Sequence, residues 1–400
     1  MSRLKEIRVC LLPLLILLVF CGCAKIEKIE SYQETAELNL PETTGITETE
    51  TTETTTVTTN VYTPPDDYRL VSVLEGMSLR EKAAQMILVS TSDETFAKKC
   101  ASEGAGGVCL FAGAFENKDA DAVKAMTAGF QSVSAVPLLI SVDEEGGTVN
   151  RVSLNPKLRA TKFKSPKALY DEGGWGAIRK DTEEKAALLL TLGINSNLAP
   201  VCDVPLSKNN YIAPRCFSLD ATETTSYVMT VVAAMRDMRL GSTLKHFPGY
   251  GGSGDTHKNI AYDDRSLETF REKDFRPFRA GIENGADSVM VSHNIVKCMD
   301  TERPASLSPA VHKILREELQ FRGVIISDDL GMNAITKYTD GENPAVAAVL
   351  AGNDLLCYAE FTESVDAIVK AVEDGEIEES RLDASVLRIL NWKKNIGILK

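Results

Sequence analysis

The chain has 400 residues, enough for one large domain or two of ordinary size. Apolar residues make up 44% and charged residues 25%, the composition of a folded protein and not of a disordered one. Lys+Arg 44 against Asp+Glu 57 gives a net charge of −13, which argues against a nucleic-acid ligand or a polybasic membrane surface. No apolar run reaches the roughly 18–20 residues of a membrane-spanning helix.

The first element is a targeting segment. Arg3, Lys5 and Arg8 form a basic start, and Val9 to Cys21 is an uncharged apolar run of signal-peptide length. It ends Phe20-Cys21-Gly22-Cys23, which resembles a bacterial lipoprotein box with Cys23 as the lipidated residue. A plain secretory signal with incidental cysteines is the alternative. Residues 1–22 are therefore expected to direct export, with the protein held at the plasma membrane through its N-terminal lipid alone. Residues 23–66 follow as a linker. From Pro41 to Thr63, 12 of 23 positions are Thr and 4 are Glu, so little apolar surface is available to offset chain entropy. From 24 to 66, nine acidic residues against two lysines place −7 of the net charge in this tether. Fully extended, it reaches about 140 Å.

Nine cysteines are present; beyond the signal region they are Cys100, Cys109, Cys202, Cys216, Cys298 and Cys357. There is no Cys-x-x-Cys and no Cys/His cluster at zinc spacing. A domain this large does not need disulfide staples, so buried free thiols are the favoured reading.

Residues 67–400 are rhythmic. Apolar runs occur at Gln85–Val89, Gly107–Phe111, Leu138–Val142, Ile194–Leu198, Ser242–Leu244, Ser288–Val291, Val324–Ile326 and Asp354–Cys357. They are near-continuously apolar, as parallel strands buried on both faces are. Helix signals lie between them: Ser308-Pro309 is an N-cap with Pro at the first helical position, and Gly323 is expected to close that helix. Eight such runs alternating with helices predict an α/β fold, a single (β/α)8 barrel of the TIM type. An open doubly wound sheet is the alternative.

Polar residues gather where such a barrel keeps its site, at the carboxyl ends of the strands. Asp143 ends one run, Lys245 and His246 another, Ser292 and His293 a third, and Asp328 a fourth. His312, on a helix, reads as a surface residue.

These positions sit in longer motifs. Lys-His-Phe-Pro-Gly at 245–249, continuing to Asp255-Thr256-His257, resembles glycoside hydrolase family 3, in its NagZ-like β-N-acetylglucosaminidase (β-N-acetylhexosaminidase) branch. Asp-Glu-Glu-Gly-Gly-Thr-Val-Asn-Arg at 143–151, Gly-Ile-Asn-Ser-Asn-Leu-Ala-Pro-Val-Cys-Asp-Val at 193–204 and Gly-Val-Ile-Ile-Ser-Asp-Asp-Leu-Gly-Met at 323–332 resemble further signatures of that branch. The family's β-glucosidases usually add a second α/β domain, for which a chain ending at Lys400 has no room. The single-barrel branch is thus the expectation.

The resemblance implies an exo-acting, retaining enzyme on terminal β-linked GlcNAc, in peptidoglycan or related glycans. Retention needs a carboxylate nucleophile and a proton donor. Asp328 is implied as nucleophile with Asp329 beside it, although the reverse assignment stays open. His257 with Asp255 is implied as the acid/base dyad. An imidazole can give and take a proton near neutrality while a carboxylate orients it. The glycines of 249–254 would let that loop move; phosphate binding there lacks a strand–loop–helix fingerprint. Asp143, Arg151, Arg215, Lys245 and His246 are implied to hold sugar hydroxyls, where hydrogen bonds to ionised groups are strong. Each could instead belong to an internal ion pair. No metal or organic cofactor is implied, the partner is a carbohydrate, and a monomer is expected.

The motifs also depart from the pattern. Thr148 stands for a usual Arg, Glu144 for a usual Gln and Tyr250 for a usual His; Arg-Cys-Phe-Ser at 215–218 is altered, and the dyad loop is one residue short. These changes bear on substrate preference. A β-glycoside phosphorylase or β-glucosidase using the same site, and a non-catalytic carbohydrate-binding lipoprotein, are the competing readings.

Overall fold

The computed structural model describes residues 68–340 and 343–400. The expected signal peptide, Cys23 and the expected Thr/Glu-rich linker lie outside the described residues.

Eight parallel strands form one sheet: β1 (Ile87–Thr91), β2 (Gly107–Leu110), β3 (Leu139–Val142), β4 (Ser196–Asn197), β5 (Gly241–Phe247), β6 (Ser288–Val291), β7 (Val324–Ser327) and β8 (Leu356–Cys357). They pair in chain order, β8 pairs with β1, and a bridge from Ile326 to Leu355 joins β7 to β8. The sheet closes on itself. Each strand falls on one of the eight apolar runs, with ends shifted by a few residues. Every residue of β2, β3, β6 and β7 is buried, which accounts for their near-continuous apolarity: one face packs inside the barrel and the other under helices.

The register fixes the interior layering. Cys109 pairs across to Ser141, which pairs to Ser196; two residues further along β4 stands Leu198. The same step of two strands and two residues leads to Met290, then to Cys357, and from Leu88 and Ser90 back to Cys109. Four steps of two residues make a shear of eight, that of a TIM barrel with layers drawn from alternate strands.

Caps start the helices. Ser78 and Glu81 form a capping box at α1 (Leu79–Gln85), and Asp93, Asp119 and Asp220 cap α2 (Glu94–Ser102), α3 (Ala120–Gln131) and α5 (Ala221–Met238). The long helix α4 (Pro166–Thr191) and α6 (Phe275–Glu283) pack beside α5. Ser308 caps α7 (Pro309–Lys313) as expected, accepting from the Val311 amide.

Two details of that region differ from the sequence expectation. The chain winds on through Ile314–Glu318, and the left-handed residue after it is Gln320 (φ 55°), not Gly323. Gly323 is needed for room, since a Cβ there would lie 2.4 Å from the Asp287 carbonyl oxygen. His312 is buried, not on the surface: its ring packs over Gly352 and its Nδ1 lies 2.8 Å from the Ser308 carbonyl. Burial pushes its pKa down to about 4.

Candidate active site

The strand ends converge. Asp143 directly follows β3, Ser292 and His293 follow β6, and Asp328 follows β7, its amide held by the Val291 carbonyl at 2.9 Å. Lys245 and His246 lie within β5, which runs on to Phe247 instead of ending at Leu244. A cavity of about 390 Å³ opens at this end of the barrel, a size typical of small-molecule sites. Asp143, Arg151, Arg215, Lys245, His246, His257 and Asp328 all line it. Asp255 stands behind His257.

Ion pairs link several of these residues. Lys245 Nζ is 2.6 Å from Asp143 Oδ1 and 2.6 Å from Glu145 Oε1, and Arg215 engages both oxygens of Glu145 at 2.8 and 3.1 Å. Burial would raise the Glu145 carboxyl, but the Arg215 and Lys245 charges hold it well below the carboxylate range. Burial likewise opposes the Lys245 charge, and Asp143 and Glu145 more than offset it. Arg151 reaches Asp143 at 3.4 Å. Its loop is tied by the buried Glu144, which accepts from the Arg151 and Val152 amides at 2.8 and 2.7 Å. Gly146 (φ 95°) makes the turn between, and a Cβ there would meet the Lys164 carbonyl oxygen at 2.3 Å.

Arg215 Nη2 donates to His246 Nε2 at 3.1 Å, leaving Nδ1 to bear the ring proton, 2.7 Å from Asp203 Oδ2. The other Asp203 oxygen accepts from the Tyr250 amide at 2.7 Å. Asp203 thus fixes both the imidazole and the start of the dyad loop.

Asp328 and Asp329 occupy different electrostatic settings. Burial would raise Asp328, yet the neighbouring His293 and His246 rings and the Asp329 amide, donating at 2.9 Å, keep its pKa below the ordinary value. Burial raises Asp329, whose Oδ1 accepts from the Gly331 amide at 2.8 Å. His293 lies between Ser306 Oγ (2.7 Å) and the Asp329 carbonyl (2.9 Å), so it braces the turn that carries both acids.

In the loop after β5, His257 Nδ1 lies 3.1 Å from Asp255 Oδ1, and the His257 amide donates to the same oxygen. Burial would raise Asp255, but these hydrogen bonds and that from Lys258 together bring it below its usual value. The His257 side chain is 62% exposed, so packing does little to place it. Backbone anchors do this instead. Three successive carbonyls, of Thr256, His257 and Lys258, accept from Ala334 N (3.2 Å), Asn333 Nδ2 (2.9 Å) and Lys337 Nζ (3.0 Å). The donors belong to α8 (Asn333–Tyr338), the helix that follows Asp328. Tyr250 adds a buried hydroxyl 2.8 Å from Thr256 Oγ1, also accepting from the His293 amide at 3.2 Å.

Sequence reasoning passed over Glu145, Asp203 and the loop anchors Asn333 and Lys337. Glu145 stands inside a quoted motif, and its position two residues after Asp143 was the available signal. A two-stranded pair, Tyr262–Asp263 with Ile295–Val296, also braces these loops and is too short to leave a periodicity.

The cavity lies at the carboxyl end of the barrel, where folds of this class keep their active sites. Residues 78–392 match the model of the glycosyl hydrolase family 3 N-terminal domain. A protein named Beta-hexosaminidase from Hydrogenovibrio crunogenus is 33% identical over 291 residues, covering 69% of this chain and 78% of that one. Another of that name from Stenotrophomonas maltophilia is 36% identical over 307 residues, 72% of this chain and 87% of that one. A solved family 3 β-N-acetylglucosaminidase from Paenibacillus sp. str. FPU-7 superposes with a TM-score of 0.76 at 32% identity, over 81% of this chain and 63% of its own. The chain belongs to glycoside hydrolase family 3.

Proposed function

We propose that this protein is an exo-acting, retaining β-N-acetylhexosaminidase that removes terminal β-linked GlcNAc from peptidoglycan fragments or related glycans. The observation that carries this reading is one cavity onto which open an ionised carboxylate, Asp328, a His–carboxylate dyad, His257 with Asp255, and five charged or polar clamps. The names of its family 3 relatives support the choice of sugar.

In the first step, Asp328 attacks the anomeric carbon while His257 protonates the departing oxygen, giving a glycosyl–Asp328 ester and the free aglycone. Asp255 orients His257 and stabilises its imidazolium. In the second step, His257 takes a proton from water, which opens the ester with overall retention. Asp143, Arg151, Arg215, Lys245 and His246 hold the ring hydroxyls; their mutual ion pairs fix them before the sugar arrives, which lowers the ordering cost of binding. Turnover of nitrophenyl β-GlcNAc against nitrophenyl β-glucoside tests the sugar, and a 5-fluoro sugar should label Asp328. Labelling at Asp329, Asp143 or Asp203 would reassign the nucleophile.

A phosphorylase is the second reading, because a His acid/base repels incoming phosphate less than a carboxylate would. Sugar phosphate formed in phosphate buffer in place of free sugar would favour it. We further propose that the enzyme is exported and anchored through lipid on Cys23, with residues 24–66 as the tether. Cys23→Ala should release active enzyme to the medium; equal membrane retention would contradict this.

A further inference from the structure

Gly249, Gly251, Gly252 and Gly254 stand in the loop that carries His257, and three of them are needed for close contact. A Cβ at Gly249 (φ 133°) would lie 2.4 Å from Asp274 Oδ1. One at Gly251 would meet the Val204 carbonyl oxygen at 2.3 Å and the same Asp274 oxygen at 3.4 Å. One at Gly252 would meet Arg265 Nε at 2.6 Å and Asp263 Oδ2 at 2.8 Å. Gly254 differs, since its nearest neighbour would be Ala261 Cβ at 3.8 Å. The start of the loop therefore rests directly on Asp263, Arg265 and Asp274, with no space for a side chain between.

The charges beneath it do not balance. Asp263 gives both oxygens to Arg265, Oδ1 to Nε at 3.0 Å and Oδ2 to Nη2 at 2.9 Å. Asp274, which directly precedes α6, gives Oδ2 alone, to Arg265 Nη1 at 2.7 Å. Its Oδ1, buried under Gly249, has no hydrogen-bond partner among the described residues. One guanidinium thus faces two buried carboxylates. Asp203, across the loop, adds a third acid whose own partners are His246 and the Tyr250 amide. Lys273, beside Asp274, is engaged with the Pro205 carbonyl. A charged oxygen lying against glycine carbons, with no donor, is costly to bury, and a neutral carboxyl is far less so. Burial, with the Asp203 and Asp263 charges adding to it, pushes Asp274 up to about 7 against the pull of Arg265.

We propose that Asp274 is a positioning residue for the acid/base: its neutral carboxyl, held under Gly249 and Gly251 by Arg265, seats the loop that carries His257, and ionisation of that carboxyl unseats it. Below about pH 7 the carboxyl is neutral and the seat holds. Above it, Asp274 repels Asp203 and Asp263, and the bare oxygen draws water in under the glycines. Protonation of the departing oxygen suffers first, because Asp328 and the clamps stand on other strands. The link to turnover rests on the glycosidase reading; the seat itself does not.

The test compares the full-length protein with Asp274→Asn, which stays neutral at every pH, and with Asp274→Ala, which removes the seat. Hydrogen–deuterium exchange over 249–258, corrected for the intrinsic rate at each pH, reads the seat without reference to activity. Between pH 6 and 8.5, protection in the parent should fall roughly tenfold, in Asp274→Asn it should stay level, and in Asp274→Ala it should be low throughout. On a β-GlcNAc disaccharide, Asp274→Asn should hold its kcat/KM further into alkali than the parent does. At pH 6, Asp274→Ala should lose roughly ten- to hundredfold on the disaccharide and under about threefold on a dinitrophenyl glycoside. Asp274→Ser replaces the Ala variant if that one does not fold. The same pH dependence of exchange in the parent and Asp274→Asn, or an equal fall on both substrates in Asp274→Ala, would overturn the proposal. Absence of any β-GlcNAc hydrolysis would count against the glycosidase reading and leave the exchange data to decide the seat.

Discussion

The side-chain amide of Asn333 donates to the main-chain carbonyl of His257 at 2.9 Å, although the two residues sit in loops after different strands. With Ala334 and Lys337 it ties the loop bearing His257, the proposed acid/base, to the helix that follows Asp328, the proposed nucleophile.

Asn333 is accordingly a positioning residue. Asn333→Ala removes one hydrogen bond, a net loss of about 1 kcal/mol, so kcat/KM on a disaccharide should fall roughly five- to tenfold. On a dinitrophenyl glycoside, which needs little protonation to depart, glycosylation should change much less. An equal fall on both substrates would mean that Asn333 only supports the fold.

Glu145 sits beneath the clamp, nearly fully buried, between Arg215 and Lys245. Glu145→Gln leaves two buried cations facing a neutral amide, and breaking a buried pair costs about 3–5 kcal/mol. The denaturant midpoint should drop by the corresponding amount and activity should be lost with it. A change under about 1 kcal/mol would show that Asp143 alone satisfies both cations.

Lys393 is buried with a single side-chain partner, Gln85 Oε1 at 2.8 Å, and burial lowers its pKa to about 7. Unfolded, it titrates near 10.5. Between these values the unfolded chain binds the extra proton, so stability should rise with pH, at most by about 1.4 kcal/mol per unit. Asp287 and Asp274, raised by burial to about 6 and 7, act in the opposite direction but below neutrality. Cysteines oppose it as well, since a thiol titrates at about 8.5 when unfolded and burial raises Cys100, Cys202 and Cys216. The difference in urea-melt stability between Lys393→Met and the parent, followed from pH 7.5 to 9, therefore isolates Lys393. Lys393→Met should be the more stable at pH 7.5 and its advantage should shrink as pH rises; a difference that stays constant would assign the effect to other groups.

Much of this was legible beforehand, and the reason is physical. Parallel strands buried on both faces write themselves as apolar runs, and all eight coincide with runs read from the sequence, even β4 and β8 with two paired residues each. Because chemistry in such barrels sits at strand ends, Asp143 and Asp328 stood out by position alone. Glu145 and Asp203 did not, because a carboxylate that organises other side chains looks in sequence like any acid in a loop. His312 misled for a related reason: helical spacing shows that a helix exists, while its inward face depends on neighbours such as Gly352, distant in the chain. Tyr250 read as a departure from the family pattern; in place, its hydroxyl joins Thr256 and His293 behind the dyad loop.

The central claim is that His257 moves the proton in both steps, and one variant tests it. In the first step acid help matters less as the leaving group improves; in the second the same residue activates water, and the aglycone is gone. His257→Ala should therefore lose far more activity on a natural disaccharide than on a dinitrophenyl glycoside, and should accumulate glycosyl–Asp328 on the latter. Azide, which needs no deprotonation, should restore turnover and yield the β-glycosyl azide. Equal slowing on both substrates with no response to azide would contradict the account and make His257 a structural residue.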